Sequence, residues 1–145
     1  MSMLTALKIS SSAMNAQMVR LNTTASNLAN VDTVSTTEEG AYRARNPVFK
    51  AAMVAAGATP GRVQQDAQLP GVLVQEIAHN DGPVPMRYEP TNPMANEEGY
   101  VFGSNVNAVE EMANMISASR SYQSNMEVFN TTKTLMLRTL QLGQQ

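Results

Sequence analysis

Few side chains in this sequence could do chemistry, and their spacing converges on no reaction. Adjacent carboxylates stand at Glu38-Glu39, Glu97-Glu98 and Glu110-Glu111. A carboxylate pair can divide acid and base roles, but sequence neighbours rarely converge on one substrate, and nothing here indicates an apolar pocket that would raise one of them. They read as solvated faces. His79, the single histidine, precedes Asp81 within His79-Asn80-Asp81-Gly82-Pro83, a stretch with the composition of a turn. A structural turn is the simpler reading than a base with its carboxylate partner. With one histidine and no cysteine, the sequence offers no thiolate nucleophile, no disulfide and no metal cluster. No glycines have the spacing of a dinucleotide fingerprint or a P-loop. The expectation is a non-enzyme with no catalytic, cofactor-binding or metal site and no cofactor.

Charge narrows the partners further. The formal charge is -2, which supplies no basic field to neutralise phosphates, so nucleic acid is not an expected partner. The N-terminal stretch lacks the basic flank and unbroken apolar run of a secretory signal, because Thr5 and Lys8 interrupt it and Ser10, Ser11 and Ser12 follow. No stretch reaches the length of a membrane span. Export, if it occurs, is expected to need a route other than a cleaved signal.

The elements that would carry any site fall into three zones. Residues 2 to 30 hold no proline or glycine and only two charges, Lys8 and Arg20; residues 31 to 106 hold all seven prolines and seven of the eight glycines; residues 107 to 145 lack proline and keep only Gly143. Glycine and proline stop helices, so the pattern predicts helix, β-rich middle, helix. The fold class expected is α+β: a helix over 1–31 and a helix over 107–145 forming a coiled-coil-like polymerisation domain, with a small irregular β-rich domain over 32–106.

In the first zone Leu4, Leu7, Ser11, Met14, Met18, Leu21, Ala25 and Leu28 recur at alternating spacings of three and four, a heptad seam. Asn30 suits the turn that ends it. In the last zone Met112, Met115, Ser119, Tyr122, Met126, Phe129, Lys133, Met136 and Leu140 obey the same rule, with Val109, Ile116, Val128, Leu135, Leu137 and Leu142 widening the apolar surface. Asn107 and Glu110 have capping-box spacing. A helix over 107–143 would be roughly 55 Å long, whereas a compact chain of this size has a radius of gyration of about 15 Å. Two such weakly charged helices need cover that the middle zone is too small to supply, either from a helical hairpin within the chain or from neighbouring copies. Methionines at the seams are read first as packing residues, which would also suit several non-equivalent neighbours.

In the middle, Tyr42 to Phe49, Val72 to Ile77 and Val84 to Tyr88 are strand candidates, and residues 57 to 71 read as a long connection. On the last helix Ser117, Arg120, Ser124, Glu127, Thr131, Thr134, Arg138, Gln141 and Gln145 form an all-polar stripe. The simple reading is a solvated face.

Three stretches carry a family resemblance. Arg20-Leu21-Asn22-Thr23-Thr24-Ala25-Ser26-Asn27-Leu28-Ala29-Asn30, with Asn27, Leu28, Ala29 and Asn30 at its centre, resembles the N-terminal motif of bacterial flagellar rod and hook proteins. Tyr88-Glu89-Pro90-Thr91-Asn92-Pro93-Met94-Ala95 with Gly99-Tyr100-Val101, and then Glu111-Met112 and Ser117 to Gln123 through Leu142-Gly143, are similar to the segments leading into and forming the last helix of a proximal rod member. The resemblance implies a subunit of the shaft within the periplasm, exported unfolded through the flagellar type III apparatus without signal cleavage. It also implies terminal helices forming an inner coiled-coil tube, in which the polar stripe of Arg120, Ser124, Glu127, Thr131, Thr134, Arg138 and Gln141 would line the central export channel. Implied neighbours are other copies of the chain, the rod proteins FlgB, FlgF and FlgG, and the base component FliE. Competing readings are another rod or hook component, a helical export chaperone or adaptor, and an enzyme acting on peptidoglycan, which lacks an acid/base pair.

Overall fold

The computed structural model describes residues 2–55 and 68–143. Its first helix, α1, runs over Met3–Ala29, the stretch free of glycine and proline. The Ser2 carbonyl accepts the Thr5 and Ala6 amides at its start. At its end the Asn30 side-chain amide donates to the Ser26 carbonyl at 2.8 Å, satisfying an acceptor that the finished helix would leave open. The last helix, α2, runs over Ala108–Leu142. Asn107 caps it, its Oδ1 accepting the Val109 amide at 3.1 Å and the Glu110 amide at 3.5 Å. At 1.5 Å per residue α1 is about 40 Å long and α2 about 52 Å. No described helix is long and apolar enough to cross a membrane.

Four strands lie between them: β1 Arg45–Ala55, β2 Gln68–His79, β3 Met86–Tyr88 and β4 Tyr100–Phe102. They form two two-stranded sheets, β1 with β2 and β3 with β4. The order helix, β-rich middle, helix is the one expected, but the strand bounds differ. β1 starts three residues later than expected and passes through Pro47. The last candidate shrinks to Met86–Tyr88, since Pro85 has no amide to give a ladder and contributes only its carbonyl, to Gly103 at 2.8 Å. β4 was not expected as a strand. Of the connection expected over residues 57 to 71, residues 57 to 67 lie outside the described residues and 68 to 71 belong to β2.

The chain groups into two units. One comprises Met1–Val19, Phe49–Gln75 and Ala118–Gln145; within it the Val72 amide of β2 donates to Ser12 Oγ of α1 at 3.1 Å. The other comprises Arg20–Val48 and Glu76–Ser117; within it Arg20 of α1 donates to Asn114 Oδ1 of α2 at 3.0 Å. Buried side chains are small or polar: Ala16, Ala41, Ala44, Val101 and Ala118, with Ser10, Thr23, Thr24, Asn27, Ser104 and Glu111. Val101 and Asn27 are the largest of the fully buried ones. An interior of alanines removes little apolar area from water, and area sets hydrophobic stabilisation at about 25 cal/mol per Å².

Candidate assembly surface

Asn27 closes the helix side of this surface. Its Nδ2 donates to the Arg45 carbonyl at 2.8 Å, and its Oδ1 accepts both the Arg45 amide at 2.9 Å and the Tyr42 hydroxyl at 3.0 Å. The side chain thus pairs with the backbone of Arg45 as a neighbouring strand would. Tyr42 also shares a hydrogen bond with Ser26 at 3.2 Å, and the Arg45 guanidinium lies over the Tyr42 ring. Of the Asn27-Leu28-Ala29-Asn30 motif, then, the two asparagines hold α1 to the chain that follows, Leu28 is half-buried and Ala29 is exposed.

Asn105 repeats the device before α2. Its Oδ1 accepts the Ala44 amide at 2.7 Å, while its Nδ2 donates to the carbonyls of Asn80 at 2.9 Å and Gly82 at 3.2 Å. The Gly82 carbonyl also accepts from Arg43. His79 stands exposed beside this turn, whose own closure is the Asn80 Oδ1 to Gly82 amide bond.

The second motif is the β3–β4 connection. Tyr88 pairs with Tyr100 across the antiparallel strands, their rings edge to face at 5.2 Å. Asn92 Nδ2 donates to Glu89 and its Oδ1 accepts the Met94 amide; Asn96 Oδ1 accepts the Glu98 and Tyr100 amides. Gly99 has φ of +82°, and a Cβ there would lie 2.9 Å from the Tyr88 ring, so this position takes glycine on both counts. Pro90 and Pro93 are exposed on the turn, and Val101 is fully buried beneath it.

The helix seams divide by exposure. Leu4, Met18, Met112, Met126 and Leu140 are exposed, whereas Leu7, Met14, Leu21, Leu28, Met115, Tyr122, Phe129 and Met136 are half-buried. None of the fully buried helix positions lies on the expected seams; Ser10, Ala16, Thr23, Thr24, Asn27, Glu111 and Ala118 occupy other faces. The expected seams thus mix exposed and half-buried side chains, and the buried helix positions among the described residues are mostly small ones. The polar stripe of Ser117, Arg120, Ser124, Glu127, Thr131, Thr134, Arg138 and Gln141 is exposed throughout; Gln145 lies outside the described residues. A shallow cavity of about 320 Å³ is lined by Ser124, Glu127, Val128, Thr131 and Thr132.

One acidic reading needs correcting. Glu38, Glu39, Glu97, Glu98 and Glu110 are exposed, but Glu111 is only 7% exposed. Successive helical residues point about 100° apart, so Glu110 faces out while Glu111 faces in. Its place in the first turn of α2 sets its charge against the positive end of the helix dipole. Among the described residues no group of three or more His, Asp or Glu could hold a metal ion.

Sequence reading missed Tyr42, Arg45, Asn96 and Asn105. Their partners are backbone groups or side chains brought close only by the fold, and the isolated residue types carry no signal of that.

The sequence matches two family models: flagella basal body rod protein over residues 7–34, and flagellar basal body rod FlgEFG protein C-terminal over residues 97–142. It is 46% identical over 144 residues to the flagellar basal-body rod protein FlgC of Yersinia enterocolitica, covering 99% of this chain and all of that one. The FlgC of Salmonella typhimurium strain LT2 is 45% identical over the same span. That of Bacillus subtilis is 32% identical, covering 94% of this chain and 95% of that one. The likeness runs through both helices and the asparagine-closed middle, and the chain belongs to the FlgC family of flagellar basal-body rod proteins.

Proposed function

We propose that the chain is a non-enzymatic structural subunit of the proximal rod, polymerising through α1 and α2 into a torque-transmitting shaft around a central export channel. One observation carries this reading: large apolar residues of both helix seams, Leu4, Met18, Met112, Met126 and Leu140, are exposed in the single chain, while the buried positions among the described residues are alanines and polar residues with Val101 as the one larger hydrocarbon. A heterologous interface that does not close on itself generates a helical filament, and uncovered seams on both helices suit one. Family membership supports the rest of the reading. Neighbours are further copies of the chain, FlgB, FlgF, FlgG and FliE; the route is the flagellar type III apparatus without signal cleavage; the place is the periplasmic rod.

The test is Met126→Asp. A charge buried without a partner costs several kcal/mol, so the variant should keep the circular dichroism of the unassembled chain yet be absent from purified basal bodies. Leu21→Asp should behave alike, with some loss of subunit stability because Leu21 is half-buried within the chain itself. Normal incorporation of Met126→Asp would overturn the reading, as would sedimentation of the unmodified chain as a closed, fully helical dimer.

A further inference from the structure

Eleven methionines and no cysteine make the thioether the only sulfur group in this sequence. Three of the exposed ones stand at seam positions: Met18 at 47% exposure, Met112 at 48% and Met126 at 43%. Met112 and Met126 are fourteen residues apart, so they lie on one face of α2 about 21 Å from each other. The other exposed apolar residues of that helix, among them Ile116 and Leu140, are hydrocarbons and inert to mild oxidants. Thioethers are not inert: an oxygen-donating oxidant converts a flexible apolar side chain into a polar sulfoxide. With no thiol to compete, the accessible methionines are the first sulfur such an oxidant meets.

We propose that Met18, Met112 and Met126 are oxidation sites at which a two-electron oxidant of the hypochlorous acid class makes the unassembled subunit unable to assemble. In the step, the sulfur lone pair is oxidised by two electrons and gains one oxygen; hypochlorous acid gives up that oxygen and leaves as chloride and a proton. Reversal by a thiol-dependent sulfoxide reductase takes two electrons and two protons and releases the oxygen as water. The proposal rests on the seam reading above, because the sites are open in the free chain and become covered on assembly. A sulfoxide is a strong acceptor, and burying one in an apolar seam without a donor should weaken association on the order of tenfold per site.

The experiment treats the purified full chain with hypochlorous acid and maps sulfoxides by peptide mass spectrometry. In parallel, cells lacking methionine sulfoxide reductases, each with one form of the chain as sole copy, receive a pulse of the oxidant while rebuilding flagella. The forms are the unmodified chain, Met18→Leu/Met112→Leu/Met126→Leu, Met126→Leu alone, and Met18→Gln/Met112→Gln/Met126→Gln. We expect early oxidation at the three seam sulfurs and a severalfold fall in new basal bodies for the unmodified chain. The triple leucine variant should be protected and Met126→Leu partly protected, which keeps the test decisive if the triple variant assembles poorly untreated. The glutamine variant, imitating sulfoxide polarity, should assemble poorly without oxidant. Equal loss for the unmodified and leucine chains, or slower oxidation at the three sites than at half-buried Met14 and Met115, overturns the proposal and leaves the seam reading standing. Normal assembly of a glutamine variant with unchanged helicity overturns the seam reading and the proposal with it.

Discussion

Asn27 supplies a donor and an acceptor to Arg45 and a second acceptor function to Tyr42, from a position with no exposure to solvent. Removing it leaves the Arg45 amide and carbonyl, in part-buried hydrogen bonds, and the Tyr42 hydroxyl without these partners, and a buried group left unpaired costs about 1–3 kcal/mol. Asn27→Ala should therefore lower stability by about 3 kcal/mol, read as a drop in the urea midpoint of the segment it closes. Asn27→Asp should not rescue it, since the carboxylate cannot donate to the Arg45 carbonyl. At this scale the sequence was half legible. The Asn27-Leu28-Ala29-Asn30 element stood out as a motif, but its partners lie fifteen and eighteen residues downstream, and no spacing rule links an asparagine on a helix to a strand backbone. Gly99 was legible in the same partial way: visible in the motif, explained only by its φ and the Tyr88 ring beside it.

Among the elements, the two helices were the easiest to read, because proline and glycine are missing from just those stretches. Their faces were harder. The seams of large residues are partly exposed and partly half-buried, and the buried positions include Ala16, Thr23, Thr24 and Ala118, all small side chains. Hydrophobic size and burial usually agree, and here they part, as the proposed assembly would require. The short strands were poorly legible for the opposite reason: three-residue strands such as Met86–Tyr88 and Tyr100–Phe102 are too brief to show a period. The polar stripe of α2 yields a prediction at this level. If it lines a lumen, Thr131→Leu with Thr134→Leu should leave proximal rods complete but slow passage of later components, seen as a shortage of distal structures on isolated basal bodies. Failure to build the rod would instead make the stripe an interface, and normal passage would remove the lumen from the account.

At the scale of the molecule, membership of the FlgC family makes the chain a structural rod subunit. His79, Glu97 and Glu98 are exposed. His79→Ala, Glu97→Gln and Glu98→Gln should each leave swimming speed and subunit incorporation within about 10–20% of normal, as surface changes away from special features usually shift stability by less than about 0.5 kcal/mol. Loss of motility from His79→Ala at normal subunit levels would contradict a non-enzymatic role.

The asparagine closures have one more consequence. Asn27, Asn92, Asn96 and Asn105 hold their segments through amides, which neither gain nor lose protons near neutrality and attract no counter-ions. The two ion pairs among the described residues, Arg43 with Glu38 at 3.8 Å and Arg87 with Glu89 at 3.6 Å, are partly exposed and of a kind worth little. The Asn27, Asn96 and Asn105 amides therefore make closures that carry no charge of their own and are little screened by salt, whereas Asn92 leans on the Glu89 carboxylate. If the subunit is exported to the rod as proposed, these uncharged closures would form alike in media that differ in salt.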